Sequence, residues 1–263
     1  MVGRTESELV LFSVADHIAT IAFNRPEVLN AVSTPVFGRL IEVFDQISDD
    51  PDVWCVILRG NGRAFCVGAD QKERPGMSLD DVRRRRRISP QAFSAMRNCP
   101  RPVIAQVHGF ALGGGLEMAL GCDIVVAAND TVMGLIETRR GSIPAGGGTQ
   151  LMPRLIGPAK AKELIFTGRK FTAAEAADWG LITYAVEPDA LEAKVNALAQ
   201  EIVASAPISN VQAKRAINAS MDMDVANGIQ LEAALYERIL TTWDRTEALT
   251  AYKEKRAPQF RGE

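Results

Sequence analysis

The sequence predicts an α/β protein whose last third is mostly helical. Over roughly the first 145 residues, short apolar runs rich in β-branched residues alternate with apolar residues at helical spacing. Twice in that span a strand-like run passes through glycines, the second time directly into a helical pattern. Beyond it, helical patterning dominates, interrupted by one short strand-like run at 181–186. At 263 residues the chain suits one large domain, or one domain with a helical appendage. With 47% hydrophobic residues, 24% charged and a net charge of −2, nothing in the balance demands a nucleic acid or a membrane. No apolar run reaches the length that spans a bilayer. The N-terminal residues carry acids and no apolar core, so a signal or transit peptide is not expected and the expected compartment is cytoplasmic.

Taken in order, residues 9–14 and Ile18–Phe23 read as a strand pair around a turn at Ala15-Asp16. Asn24-Arg25-Pro26 ends the second strand. Pro35 opens a helix to about Ile47, with apolar positions at Val36, Leu40, Val43, Phe44 and Ile47. After Asp49-Asp50-Pro51, residues 53–58 form a buried strand that runs into Arg59-Gly60-Asn61-Gly62. A helix is expected over 79–97, a buried strand over Val103–Val107, and a further strand over 122–128. The helical segments of the last third cover 150–156, 158–166, 173–179, 191–204, 208–221, 225–240 and 247–256. Cys55, Cys66, Cys99 and Cys122 show no paired metal spacing, so no metal site is expected. Cys55 and Cys122 fall in strand-like runs and read as buried, reduced thiols.

The chemistry concentrates after Val103–Val107. Gly109 breaks that strand, and Leu112, Leu116, Ala119 and Leu120 then stand at helical spacing, so a helix begins in or just after Gly113-Gly114-Gly115. Three glycines at a helix start let a ligand approach the main chain, whose free N–H groups suit an oxygen that is or becomes negative. Neither a Gly-Lys-Ser/Thr loop nor a spaced G-x-G-x-x-G pattern is present. Glu117 follows within about one turn. Glu137 stands twenty residues later, at the end of an apolar run and before Gly141-Ser142-Ile143-Pro144. Alone, such a glutamate is ordinarily a solvated surface residue; together, two carboxylates converging on one pocket can hold a water and exchange protons.

These residues resemble the enoyl-CoA hydratase/isomerase (crotonase) superfamily over nearly the whole chain. Five elements stand in its order: Asn24-Arg25-Pro26 with Leu29-Asn30-Ala31, Ala64 to Asp70, Gly109 to Asp123, Glu137 with Gly141-Ser142-Ile143-Pro144 and Gly148-Thr149-Gln150, and Tyr252-Lys253-Glu254-Lys255-Arg256. The resemblance implies a spiral of repeated ββα units, with residues 1–200 as the core carrying the active site and 201–263 as a helical region for trimerisation and coenzyme A contact. It implies an acyl-CoA thioester substrate, no permanently bound cofactor beyond coenzyme A as part of that substrate, and a homotrimer or dimer of trimers.

Carried over residue by residue, the backbone N–H groups of Ala69 and Gly114 match the family's oxyanion-hole donors, and Glu117 and Glu137 its two hydratase carboxylates. Glu117 is expected to activate and position water, and Glu137 to transfer the proton. Ala69, Asp70, Gln71 and Lys72 match the segment around the coenzyme A adenine, with Gln71 in place of the usual aliphatic residue. Val28 lies in the loop flanking the coenzyme A chain. Tyr252, usually phenylalanine, and Lys255 match coenzyme A contacts often made across a subunit boundary. Having both glutamates favours a hydratase over a Δ3-Δ2 enoyl-CoA isomerase, which one carboxylate suffices to run. Finer resemblance at Lys72-Glu73-Arg74, Met133 to Thr138, Ala161 to Phe166 and Lys253 to Pro258 looks like methylglutaconyl-CoA hydratases, some of which also bind RNA. Arg139-Arg140 departs from the small or apolar residues common there.

Arg83 to Arg87 is the most conspicuous local charge. A helical run of five points around most of the circumference, so it reads first as a solvated face. A rim for the coenzyme A phosphates is the alternative. RNA binding ranks last, because the chain is net acidic and the run lacks interleaved aromatics. His17 and His108 are assigned no role.

Overall fold

The computed structural model describes residues 5–73 and 76–263. Arg74 of the Lys72-Glu73-Arg74 match and the first four residues of the acid-bearing N-terminus lie outside the described residues. A short helix, α1 (Glu6–Leu9), leads into the hairpin β1 (Val10–Ala15) and β2 (Ile18–Phe23). The turn is Asp16-His17, one residue later than expected. Both residues have positive φ, 50° and 64°, the geometry a two-residue turn needs to match strand twist. Helix α2 (Thr34–Asp49) buries Val36, Phe37, Leu40, Val43, Phe44 and Ile47, the stripe expected from the apolar spacing. It precedes β3 (Cys55–Gly60).

Helix α3 (Leu79–Asn98) starts on Ser78, whose side chain accepts from the Asp81 N–H while Asp81 reaches back. Its buried residues, Ala92, Phe93 and Met96, all belong to its C-terminal half. The arginine run occupies the uncovered half. Strand β4 (Val103–Val107) follows, then β5 (Phe110–Leu112), α4 (Gly114–Leu120), β6 (Ile124–Ala128) and β7 (Val132–Gly134). Leu112 therefore ends a strand, and the helix begins inside the glycine triplet, as expected. Cys122 sits in the turn before β6 and is half-buried, whereas Cys55 is fully buried in β3.

Helices α5 (Gly148–Ile156), α6 (Pro158–Thr167) and α7 (Ala173–Asp178) come next, with the two-residue β8 (Phe171–Thr172) and β9 (Tyr184–Val186) among them. The chain ends in α8 (Leu191–Val203), α9 (Pro207–Ala219), α10 (Val225–Leu240) and α11 (Trp243–Glu254). The last helix begins earlier than the apolar spacing alone indicated, because the Thr242 side chain accepts from the Arg245 N–H and caps it.

One sheet of six strands runs β1-β2-β3-β4-β6-β9, parallel except for the opening hairpin. A second, β5-β7-β8, is small. Successive β3 residues face opposite sides. Val56 and Leu58 join the main core with α2 and α3, while Cys55 and Ile57 meet Leu191, Val195 and Ala199 of α8. The expected boundary at 200/201 thus falls inside a helix that covers one sheet face, so the core runs at least through Val203. Lys214 of α9 ties the next helix on, donating to the Asp123 carboxylate at 2.6 Å and to the Arg101 carbonyl at 2.9 Å.

Parallel pairing of β3 with β4 decides where the site forms. The loops after them leave the same sheet edge side by side, the usual place for a ligand on such a sheet. They are stitched together: the N–H groups of Phe65 and Cys66 donate to the carbonyls of His108 and Phe110, and Leu112 donates back to Cys66.

Candidate active site

A cavity of about 290 Å³ opens where the two stitched loops end. Gly68 and Ala69 of the first loop line it beside Gly113 and Gly114 of the second. A Cβ on Gly68 would stand 2.9 Å from the Gly114 nitrogen, so the loops touch at the residues expected to supply the two N–H donors. Among the described residues, neither the Ala69 nor the Gly114 N–H donates to any acceptor. Ala69 is held by a parallel bridge to Val32, in which Val32 donates to the Gly68 carbonyl and Asp70 donates to the Val32 carbonyl. That leaves the N–H of Ala69 facing away from the bridge. Gly114 is the first helical residue of α4, where the N–H has no intrahelical partner.

Glu117 is 3% exposed on α4. Its Oε1 accepts from the N–H of Gly146 at 2.7 Å and of Gly148 at 2.8 Å. Its Oε2 lies towards Gly114, 3.9 Å from where a Cβ would stand there. Burial pushes this carboxyl above its ordinary range, against the pull of those N–H groups and of the Arg97 guanidinium.

Glu137 does not point into solvent. It begins a 3₁₀ turn, Glu137–Arg140, that turns its carboxyl into the cavity. Its Oε2 is buried and has no hydrogen-bond partner among the described residues. Burial, and secondarily the negative charge of Glu117, push Glu137 up to about 7. Glycine is needed at 113 because φ is 53° and a Cβ would stand 3.0 Å from the Glu137 carboxylate. Two acids whose proton affinities are both raised therefore flank two unused main-chain donors, an arrangement suited to moving protons at a carbon next to a polarised carbonyl.

The other expected residues are placed more diversely. Gln71 lines the cavity. The Asp70 carboxylate is buried and occupied, by Arg25 at 2.9 Å and by the Lys72 N–H at 2.9 Å, so it orders the loop. Lys72 is exposed and Val28 half-buried, and neither lines the cavity. Nor do Tyr252, 84% exposed, and Lys255, which belong to the end of α11. Four of the five run arginines are solvated, as expected. Arg85 instead turns inward, pairs with Glu73 at 3.2 Å and donates to the Val32 carbonyl at 3.1 Å.

The partners of Glu117 carry no expected role, although Gly148 stands in the matched Gly148-Thr149-Gln150 element and Gly146 just before it. Gly146-Gly147-Gly148 is a visible signal, a second glycine triplet ahead of a helix, yet nothing along the chain pairs it with Glu117. Among the described residues, no group of three His, Cys, Asp or Glu side chains could hold a metal ion, and no helix is long and apolar enough to cross a membrane.

The family model described as enoyl-CoA hydratase/isomerase matches residues 14–263. The chain belongs to that family. Its fold is the family's: a crystal structure of an enoyl-CoA hydratase from Bacillus anthracis superposes with a TM-score of 0.94 at 40% identity, covering 97% of this chain and 100% of that one. The mitochondrial enoyl-CoA hydratase domain-containing protein 2 of Bos taurus is 44% identical over 99% of this chain and 90% of its own length. The mitochondrial methylglutaconyl-CoA hydratase of Homo sapiens is 40% identical over 99% of this chain and 79% of its own length.

Proposed function

We propose that this chain adds water reversibly across the α,β double bond of an enoyl-CoA thioester. The observation that carries this reading is the unpartnered, buried Glu137 oxygen beside a second carboxylate that is gripped in place. An isomerase needs one proton shuttle; adding water needs a group to hold and deprotonate the water and another to supply the proton. Ionised Glu117, anchored through Oε1, uses Oε2 to take a proton from water as its oxygen bonds to Cβ. The electrons pass to the thioester oxygen, held by Ala69 and Gly114, and Glu137 delivers a proton to Cα. Coenzyme A enters as part of the substrate, with Gln71 at the cavity and Val28, Ala69, Asp70 and Lys72 in the two loops that match its binding segment.

The test is loss of the enoyl thioester absorbance across a panel of acyl chains. Saturable hydration is expected, with the rate falling as pH rises above about 7, because Glu137 then gives up the proton it must deliver. Double-bond migration without hydration would establish the isomerase instead.

A specific observation favours an acyl chain ending in a carboxylate, as methylglutaconyl does. Arg86 and Arg140 line the same cavity and form no ion pair among the described residues, although the charge of Arg140 acts on Glu137. The panel should therefore include an enoyl thioester with a distal carboxylate. The arginine run supports no RNA-binding role, since no aromatic side chain stands among its residues for bases to stack on.

We also propose a homotrimer or a dimer of trimers. Ile217, Val225, Ile229, Tyr236 and Tyr252 are at least half exposed on α9 to α11, a set of apolar side chains that a partner copy would cover. Such packing would also bring Tyr252 and Lys255 to a neighbour's coenzyme A. Light scattering is expected to give three or six times the mass of one chain; a monomer at micromolar concentration would overturn this assembly.

A further inference from the structure

We propose that Arg97 is a positioning residue for the reaction: its guanidinium pins the turn that grips Glu117 and supplies positive charge behind that carboxylate. The inference rests on the assignment of Glu117 and Glu137 as the proton-handling pair.

Arg97 lies in the last turn of α3, outside every match that pointed to the site. Its stem packs against the end of α4, where a Cβ on Gly121 would stand 3.4 Å from its Cγ. Its head reaches the glycine turn. Nη1 donates to the Gly146 carbonyl at 3.1 Å, and a Cβ on Gly147 would stand 2.8 Å from the same nitrogen. The peptide units on either side of that contact carry the Gly146 and Gly148 N–H groups that hold Glu117 Oε1. One side chain thus braces both the helix that carries Glu117 and the turn that orients it.

The charge has no competing use. Among the described residues, no carboxylate pairs with Arg97. Its far side opens on a groove of about 1030 Å³ between the core and α9. The charged groups around Glu117 are few. Arg97 comes from α3, and Glu137 from the 3₁₀ turn, with Arg140 beyond it; Arg85, paired with Glu73, and Arg86 of α3 line the same cavity. On α5, Arg154 is turned to the Gln150 carbonyl at 3.0 Å, and β5 carries no titratable side chain. The negative charge of Glu117 raises the cost of ionising Glu137, and Arg97 lowers the cost of ionising Glu117. The positive charge therefore biases the shared proton towards Glu137, the arrangement hydration requires.

The test compares Arg97→Met, which removes charge and donor, with Arg97→Lys, which keeps the charge on a single-point donor. Arg97→Met is expected to lower kcat about tenfold or more with KM within about threefold. The acid limb of its kcat–pH profile should move up by about one unit, because Glu117 then ionises without its counter-charge. Arg97→Lys should return the limb towards its original position and recover part of kcat. A limb that stays in place, with kcat within about twofold of the parent, would overturn the proposal. Should Arg97→Met fail to fold, Arg97→Gln removes the charge while keeping a donor and tests the same shift. An independent readout is the carbon-13 titration of the Glu117 carboxyl in the Glu137→Gln background, with and without Arg97→Met. If the parent protein hydrates no enoyl thioester, the assigned reaction is wrong, and that titration alone decides: a raised midpoint supports the role of Arg97 and an unmoved one overturns it.

Discussion

Gly114→Pro is expected to cut turnover by about a hundredfold to a thousandfold in a folded protein, while Ala69→Gly stays close to the parent. Gly114 is the first residue of α4, a position where helices accept proline because the N–H has no intrahelical partner. A Cβ there meets nothing closer than 3.7 Å, so side-chain bulk is tolerated. What the ring removes is the donor itself, and its Cδ fills the space the thioester oxygen would occupy. Ala69→Gly keeps the N–H and the Val32 bridge that aims it. The measurement is kcat for an enoyl thioester alongside binding of free coenzyme A, with melting temperature as the control for folding. Small, equal effects from both substitutions would mean that the thioester oxygen is not held between these two loops.

The second large effect is expected at the acids. Glu117→Gln and Glu137→Gln should each lower kcat by about a hundredfold to ten-thousandfold with KM little changed, because an amide keeps the size but cannot carry the proton. At 117 the glutamine oxygen can still accept from Gly146 and Gly148, so the site keeps its shape. At 137 the substitution should also change stability in a pH-dependent way. The Glu137 carboxyl is held at about 7, above the ordinary glutamate value of 4.5, so its contribution to stability is full below that lower value and lost as pH rises through about 7. Glutamine has no charge to bury. Glu137→Gln should therefore melt higher than the parent at pH 8 and gain no such advantage at pH 4. Near-parent turnover in either variant would remove that residue from the mechanism, whatever the melting curves show.

Much of the molecule is legible in the amino-acid sequence. The α2 stripe, the buried runs at β3 and β4 and the helical last third follow from side-chain periodicity, which is a local property. Glu117 and Gly114 are legible too, because a strand, a glycine triplet and a helix lie within one short stretch. Glu137 is legible only through family resemblance. Nothing local distinguishes it from a surface acid at the end of an apolar run, and its inward turn depends on a 3₁₀ segment that the apolar pattern does not encode. The small sheet β5-β7-β8 leaves no such signal, because its strands are two or three residues long, too short for a period to register.

Along the chain, then, the sequence by itself determined the longer elements, their order, the family and the residue types available for chemistry. Only the tertiary structure decided which of them meet. Parallel pairing of β3 and β4 sets Ala69 beside Gly114, residues 45 apart in the chain. The fold brings Gly146 and Gly148 onto a glutamate on α4, and it turns Arg85 inward while its neighbours in the run stay in water. It also occupies Asp70 with Arg25 and leaves Tyr252 exposed. The reason is physical: periodicity reports which face of an element is buried, whereas a proton affinity or an unused donor depends on which groups from distant segments share the same small volume.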